Sequence, residues 1–258
     1  MIPTPQPSRV FEDVSADYFT CGGRDFLVYV DRLSGWPVVY SFHRGNTTSK
    51  SLITAVRKCF TIFGVPVKFR SDGGPQFSSH DFRQFLKRWG VTQVQSSPHY
   101  PQSNGHAESA VKAMKKIISS TTENGNIDKE EFDMGLLEYR NTPRKEGLSP
   151  AQILYGHPLR SIVPMHHRSF DPKWHKSRAD FDRKVAENTA KVQESYDQHA
   201  KSLGKLPIGT TVWIQNWKSM KWDLTGEVIG IGNFRKYHVK TPSGKTLWRN
   251  RRFLRPCK

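Results

Sequence analysis

Cysteine is scarce in this sequence. The three present, Cys21, Cys59 and Cys257, form no CxxC and stand at no Cys/His spacing suited to zinc. That excludes a disulfide framework, and buried or incidental thiols suit a reducing compartment. Four of the histidines, His43, His80, His99 and His106, complete no tetrahedral set with cysteine either. Long apolar runs are missing: no stretch approaches the roughly 18–20 apolar residues of a membrane span. Met1 is followed by IPTPQPSR, not by the apolar segment of a signal peptide. No membrane partner is expected. Internal repeats and low-complexity tracts are also absent, and no motif supports Ser/His/Asp nucleophilic catalysis.

Acidic residues run short in one place. Residues 201–258 hold 13 Lys and Arg against 2 Asp and Glu, a net +11. Residues 126–200 hold 12 of each, and residues 1–125 hold 15 and 9, so most of the overall +17 sits in the last stretch. Trp213, Trp217, Trp222, Tyr237 and Trp248 fall in the same stretch. Basic charge interleaved with aromatics is the footprint of a nucleic-acid surface.

With 258 residues, 36% of them hydrophobic, the chain is long enough for a sizeable core and a second small domain. After an extended PTPQPS segment come three strand-like runs, VFEDVSADYF, DFLVYVDR and WPVVYSF, broken at Gly22-Gly23 and Ser34-Gly35. They predict an antiparallel meander. Helix-periodic and strand-like segments then alternate: TTSKSLITAVRKCFTIFG, VPVKFRSD, SSHDFRQFLKRWG, VTQVQSSP and GHAESAVKAMKKIISS. The order predicts an α/β layer fold with a mixed five-stranded sheet. DKEEFDMGLLEYRNT and SPAQILYG follow as helices, the second with Ser149 as N-cap, Pro150 at its first position and Gly156 after its end. Residues 177–201 read as a long polar helix with a thin apolar stripe (Phe181, Val185, Val192, Tyr196), suited to bridging two domains. Past Pro207, short strands and turns predict a small β-barrel. The expected divisions are a linker at 1–9, an α/β core at 10–165, a helical linker at 166–203 and the barrel at 204–258.

Asp72 stands at the seam of FRSDGGPQF, where an Asp before Gly-Gly is ordinary turn chemistry. Asp17 lies in the first strand, with Asp31 as a competitor, and Glu108 in the first turn of the third helix. Alone, Glu108 reads first as a partner of the helix dipole, worth about 0.3–1 kcal/mol. Together the topology gives them a common place, because strands one and four would be neighbours and the helix after strand five can reach the same edge. Three carboxylates there would hold two hard divalent cations, Mg²⁺ or Mn²⁺, through oxygen ligands. Two metals roughly 4 Å apart serve an in-line displacement at phosphorus. Gln102, Ser103 and Asn104, in the polar loop before the helix, are candidate donors to phosphate or base edges. Lys112 and Lys115 fall four and seven residues after Glu108, on its helix face, and are candidate phosphate contacts.

Thirty-five residues separate Asp72 from Glu108. With SDGG.QF and PQSNG.AE, that spacing resembles the D,D-35-E signature of retroviral and LTR-retrotransposon integrases. VDRLSGW, FGVP, SSPHYPQSNGHAE, YRNTP and LSPAQILYG resemble the integrase region of gypsy-type retrotransposon polyproteins. GEV…YHV…GK…WRNRRFLRP is similar to the carboxy-terminal DNA-binding barrel of the same proteins. The resemblance implies an RNase H-like core and an SH3-like barrel, with Asp17, by its match in VSADYF, and not Asp31, as the first of three catalytic metal ligands beside Asp72 and Glu108. It also implies a metal-dependent polynucleotidyl transferase that trims DNA 3′ ends and joins them to target DNA, working in the nucleus as a multimer without a small-molecule cofactor. The barrel would grip DNA through Trp248, Arg249, Arg251, Arg252 and Arg255. The family's amino-terminal zinc-binding domain, with its paired His and Cys, has no counterpart here, so a fragment, a truncated copy or a host-adopted remnant is expected. The alternative function is a non-catalytic DNA-binding or scaffold protein. A simple RNase H-type nuclease accounts for the core but not for the basic barrel.

Overall fold

The computed structural model describes residues 6–95, 105–123, 126–144, 147–164, 166–171, 178–197, 203–216, 219–232 and 235–257, with the backbone alone at 105–108, 123, 126, 168, 169, 178, 196 and 197. Two compact units are present, one built from 5–95 and 104–191, the other on 192–258.

The larger unit opens with β1 (Asp13–Cys21), β2 (Arg24–Asp31) and β3 (Pro37–Phe42), an antiparallel meander. Helix α1 (Ser49–Phe63) leads into β4 (Lys68–Ser71), and α2 (His80–Arg88) into β5 (Thr92–Gln95). The sheet order is β3-β2-β1-β4-β5, with β4 parallel to both β1 and β5. This is the mixed five-stranded sheet expected. Helical crossovers make the later strands parallel, since a tight turn can only reverse the chain. β2 explains why its FLVYV run is continuously apolar. Leu27 and Tyr29 pack toward α1 and α2, while Phe26, Val28 and Val30 pack toward α3 (Gly105–Ser120) and, with it, Leu136 from further along the chain. A strand covered on both faces does not alternate.

Between α3 and α4 (Lys129–Asn141) lies a small hairpin, β6 (Thr122–Glu123) with β7 (Asn126–Ile127). Two residues a side are too few to show any period in the sequence. Helix α5 (Pro150–Tyr155) carries a full capping box at Ser149 and Gly156 in the left-handed region, as the sequence indicates.

The long helix departs from expectation. It forms as α6 (Arg178–Asp197), but Phe181 is buried against Leu33, Leu148 and Ile153, with Val185 beside it. Its first turns are a core element, and only farther along does an apolar residue such as Val192 stand exposed. The turn between β2 and β3 is the other half of that contact. Gly35 holds φ +68°, and a Cβ there would collide with the Arg144 guanidinium. The Arg140 guanidinium lies 4.2 Å from the Trp36 ring centroid and donates to the Pro37 carbonyl at 2.8 Å. The motifs VDRLSGW and YRNTP are thus two sides of one packed joint.

The smaller unit is a curled antiparallel sheet of β8 (Thr211–Gln215), β9 (Trp222–Ile231), β10 (Lys236–Lys240), β11 (Thr246–Asn250) and β12 (Leu254–Pro256), in the order β11-β10-β9-β8-β12. β9 pairs with β8 along its first part and with β10 along its second. At the changeover, a Cβ on Gly226 would meet Val239 Cγ1 at 2.6 Å and the Lys240 carbonyl at 2.9 Å. The sheet therefore folds over its own core of Leu206, Val212, Ile214, Val228, Tyr237, Val239 and Leu254.

Candidate metal and nucleic-acid site

The pairing of β1 with β4 sets Asp13 opposite Lys68, Val14 opposite Phe69 and Ser15 opposite Arg70, a constant offset of 55. Carried two residues on, that offset brings Asp17 level with Asp72, the residue directly after β4. Residues opposite one another on neighbouring parallel strands point to the same side of the sheet. Asp13 and Arg70, two residues out of level, share that side: the guanidinium grips the carboxylate with Nε–Oδ1 at 2.8 Å and Nη2–Oδ2 at 2.9 Å. By alternation Asp17 shares that side with Phe19, which packs on Ala110, Val111, Met114 and Ile118 of α3. Glu108 is the fourth residue of α3, three before buried Val111. Two adjacent strands and the helix packed on them therefore carry the three carboxylates.

Asp17 is half-buried, and its Oδ1 accepts the Tyr18 amide at 2.9 Å. Asp72 is exposed; its Oδ1 accepts the Gly74 amide at 2.9 Å, so the turn chemistry of SDGG is real, while its Oδ2 accepts nothing among the described residues. The Glu108 side chain and the whole of Gln102, Ser103 and Asn104 lie outside the described residues. Among the described residues no three His, Cys, Asp or Glu side chains gather as a metal-binding group. Hard, solvent-reachable carboxylate oxygen at Asp72 suits Mg²⁺ or Mn²⁺.

Asp31 is a different kind of carboxylate. Fully buried, it accepts the Phe11 and Ser34 amides, each at 2.8 Å, and the Ser34 hydroxyl at 2.6 Å. Burial pushes its carboxyl above the ordinary range, and the hydrogen bonds from Ser34 and Phe11 pull against that. Its oxygens are spent on holding the β2–β3 turn.

Lys112 and Lys115 are both exposed on α3, and Lys115 Nζ stands 5.8 Å from the centroid of Phe19. In the small unit Trp248 is 43% exposed and lies tilted against His238, its cross-strand neighbour, at 3.4 Å between centroids. Arg249 is half-buried, which lowers its guanidinium pKa, and it donates to the Trp248 carbonyl at 2.8 Å. Arg252 and Arg255 are exposed.

Arg251 corrects the sequence reading, which placed it on the DNA surface. It is buried, donating through Nε to the Gly204 carbonyl and through Nη1 to the Leu254 carbonyl, both at 2.7 Å. A buried guanidinium that spends Nε and Nη1 on two main-chain carbonyls presents little of itself to a phosphate in solvent. Trp213, which the sequence reading left unassigned, is 41% exposed and sits opposite Arg255 across β8 and β12. Strand alternation in TVWIQ is the signal that marks it as outward-facing.

Residues 8–101 match the family described as integrase core domain. The chain is 30% identical over 169 residues to an uncharacterized protein of Caenorhabditis elegans, covering 63% of this chain and 13% of that protein. It is 33% identical over 150 residues to the Pol polyprotein of feline endogenous virus ECE1 (57% and 14% covered), and 28% identical over 222 residues to the Gag-Pol polyprotein of baboon endogenous virus (81% and 12%). The chain thus spans roughly an eighth of the length of these relatives. A chain in the cryo-EM structure of a simian T-cell lymphotropic virus intasome in complex with PP2A regulatory subunit B56 gamma shares the fold at TM-score 0.62 and 14% identity, over 98% of this chain and 81% of that one. The family match falls within the larger unit, on the segment that carries the five-stranded sheet.

Proposed function

We propose that this chain is the integrase of a gypsy-type LTR retrotransposon, a polynucleotidyl transferase that trims DNA 3′ ends and joins them to target DNA. The observation that carries the reading is the register of β1 with β4, which brings Asp17 level with Asp72 on the side of the sheet where α3 carries Glu108. Asp17, Asp72 and Glu108 would hold two Mg²⁺ or Mn²⁺ ions. Such ions, when bound, supply activation of the attacking oxygen and neutralisation of charge at phosphorus. Asp17 sits on a central strand, so its carboxylate is held by the packed sheet. Asp72 sits on a turn and reaches solvent, where a phosphodiester can approach. Lys112 and Lys115, one and two turns beyond Glu108, add positive charge for the DNA backbone. Arg252, Arg255, Arg249 and Trp248 do the same on the barrel, in a stretch carrying +11. The proposed working form is a multimer on paired DNA ends in the nucleus.

The test is a strand-transfer and 3′-processing assay with Mn²⁺ on the element's own ends, comparing the chain with Asp72→Asn. Asn keeps the oxygen that accepts the Gly74 amide, so the turn survives while the ligand charge is lost. Processing and joining are expected to vanish with DNA binding retained. A wild-type chain that binds DNA and joins nothing would identify the non-catalytic scaffold reading, and an Asp72→Asn variant with undiminished joining would remove the assigned ligand.

A further inference from the structure

Asp17 stands on a packed strand and Glu108 on a helix, whereas Asp72 stands on the connection from β4 to α2. A Gly-Gly segment outside any ladder does not by itself hold a carboxylate to the roughly 0.5 Å that a ligand set needs. The hydrogen bonds show what does. Gln93 and Gln95 lie two residues apart on β5, so their side chains leave the same face of the sheet. Gln93 Nε2 donates to the Phe77 carbonyl at 2.7 Å, and Gln95 Nε2 to the Ser78 hydroxyl at 3.0 Å. Ser78 Oγ in turn donates to the Gly73 carbonyl at 3.1 Å, and the Ser78 amide to the Gly74 carbonyl at 2.9 Å. The Gly74 amide then meets Asp72 Oδ1. These directions are forced. A carbonyl can only accept, so the serine proton goes to Gly73, and Gln95 must turn its amide nitrogen to the serine oxygen. Beside Ser78, Phe77 is buried against Phe69 and Phe82, and Ser79 caps α2.

We propose that Gln95 and Ser78 are positioning residues for Asp72, a relay from β5 through one hydroxyl that sets where the carboxylate stands for a divalent cation. The inference rests on Asp72 as a ligand, as in the proposed function, and adds what holds it in place. Ser78 grips both glycines of the turn, Gly73 by its hydroxyl and Gly74 by its amide, so the peptide units next to Asp72 move only with it. Gly74 fixes one carboxylate oxygen and leaves the other without a partner among the described residues. β5 is an edge strand, where polar side chains ordinarily face water. Here both glutamines are half-buried, and both amides are spent on the connection that carries Asp72. Partners that orient a metal ligand commonly contribute about ten- to a hundredfold to metal affinity, so one step farther back about five- to tenfold is expected.

The experiment follows Mn²⁺ uptake by the full chain, free of DNA, from the electron paramagnetic resonance signal of the unbound ion. Wild type is compared with Asp72→Asn, Gln95→Leu, Ser78→Ala, Ser78→Thr and the double variant Gln95→Leu/Ser78→Ala, each checked by thermal unfolding. Gln95→Leu and Ser78→Ala should each weaken Mn²⁺ binding about five- to tenfold. The double variant should be no weaker than the worse single one, because both cut the same relay. Ser78→Thr keeps the hydroxyl and should retain the wild-type affinity. Hydrogen exchange at the Gly74 and Ser78 amides should quicken in Gln95→Leu and Ser78→Ala. Wild-type affinity in those two variants, alongside loss in Asp72→Asn, overturns the relay and leaves the proposed function standing. So does a lowered melting point with affinity unmoved, which makes the network turn packing alone. Additive losses set the two residues on separate routes and also overturn the relay. Equal uptake by wild type and Asp72→Asn, or none by either, overturns the ligand assignment and this inference with it.

Discussion

Arg251 offers a clean separation of folding from DNA binding on a strand end crowded with arginines. Truncation by Arg251→Ala removes two hydrogen bonds from a charged donor, each about 1.5–3 kcal/mol, and leaves the Gly204 and Leu254 carbonyls without their partner. Those carbonyls regain water in part, so a net loss of about 2–4 kcal/mol is expected. A domain of about 55 residues seldom has more than about 3–5 kcal/mol in total. The barrel should therefore be largely unfolded in this variant, while the larger unit, with its own core, persists. Arg252→Ala and Arg255→Ala, both at exposed sites, should change stability by no more than about 0.5 kcal/mol. Urea unfolding of the full chain followed by tryptophan fluorescence reports the barrel through Trp213, Trp222 and Trp248, as a transition separate from that of Trp36 and Trp89 in the larger unit. In parallel, a salt titration of DNA binding should show each exposed arginine lowering the slope by about 1 in a folded protein. An Arg251→Ala barrel with the wild-type midpoint would refute the argument from burial. So would an Arg251→Ala barrel that stays folded and loses salt-dependent affinity as Arg252→Ala does.

Two further outcomes follow from the larger unit. Phe181→Ala should destabilise it by about 3–5 kcal/mol and expose the first turns of α6 to hydrogen exchange, while Val192→Ala, at a 52% exposed site, should stay within about 0.5 kcal/mol; equal small effects would show α6 to be undocked. Cys59 is fully buried, and burial pushes its thiol up to about 11, so that only about one part in a thousand is thiolate at pH 8. Maleimide at pH 8 should modify Cys21 and Cys257 in the native chain and reach Cys59 only after unfolding, as mass spectrometry of the peptides will show.

Much of the layout was legible before any coordinates. Strand and helix order, the neighbouring of strands one and four, and the elements bearing Asp17, Asp72 and Glu108 all follow from hydrophobic period and turn residues. Arg251 was not legible, for a definite reason. Inside and outside alternate by two only while the chain stays extended, and a 3₁₀ turn at Arg251–Phe253 breaks the count between β11 and β12. Residue type then reports charge but not direction. The docking of α6 was hidden differently. A thin stripe of four apolar residues looks the same whether all of it or only its first turn finds a partner, and that partner, the Leu33–Leu148–Ile153 cluster, is assembled from distant sequence.

The buried Asp13–Arg70 pair acts as a ruler for the site four residues farther along β1. A parallel ladder tolerates slippage where nothing marks its frame, and a slip of one residue turns a side chain to the opposite face of the sheet. A slip of two preserves the face but moves the partner by about 6.6 Å, more than the span of a shared metal site. In the observed frame Arg70 stands level with Ser15 and reaches diagonally to both oxygens of Asp13, and the same frame, carried on, brings Asp17 level with Asp72. Separating Arg70 from Asp13 would leave the buried carboxylate with Arg32 alone, at 3.7 Å, in place of the close fork. The frame that relates the two aspartates is thus braced from below, by a buried ion pair four residues back along β1.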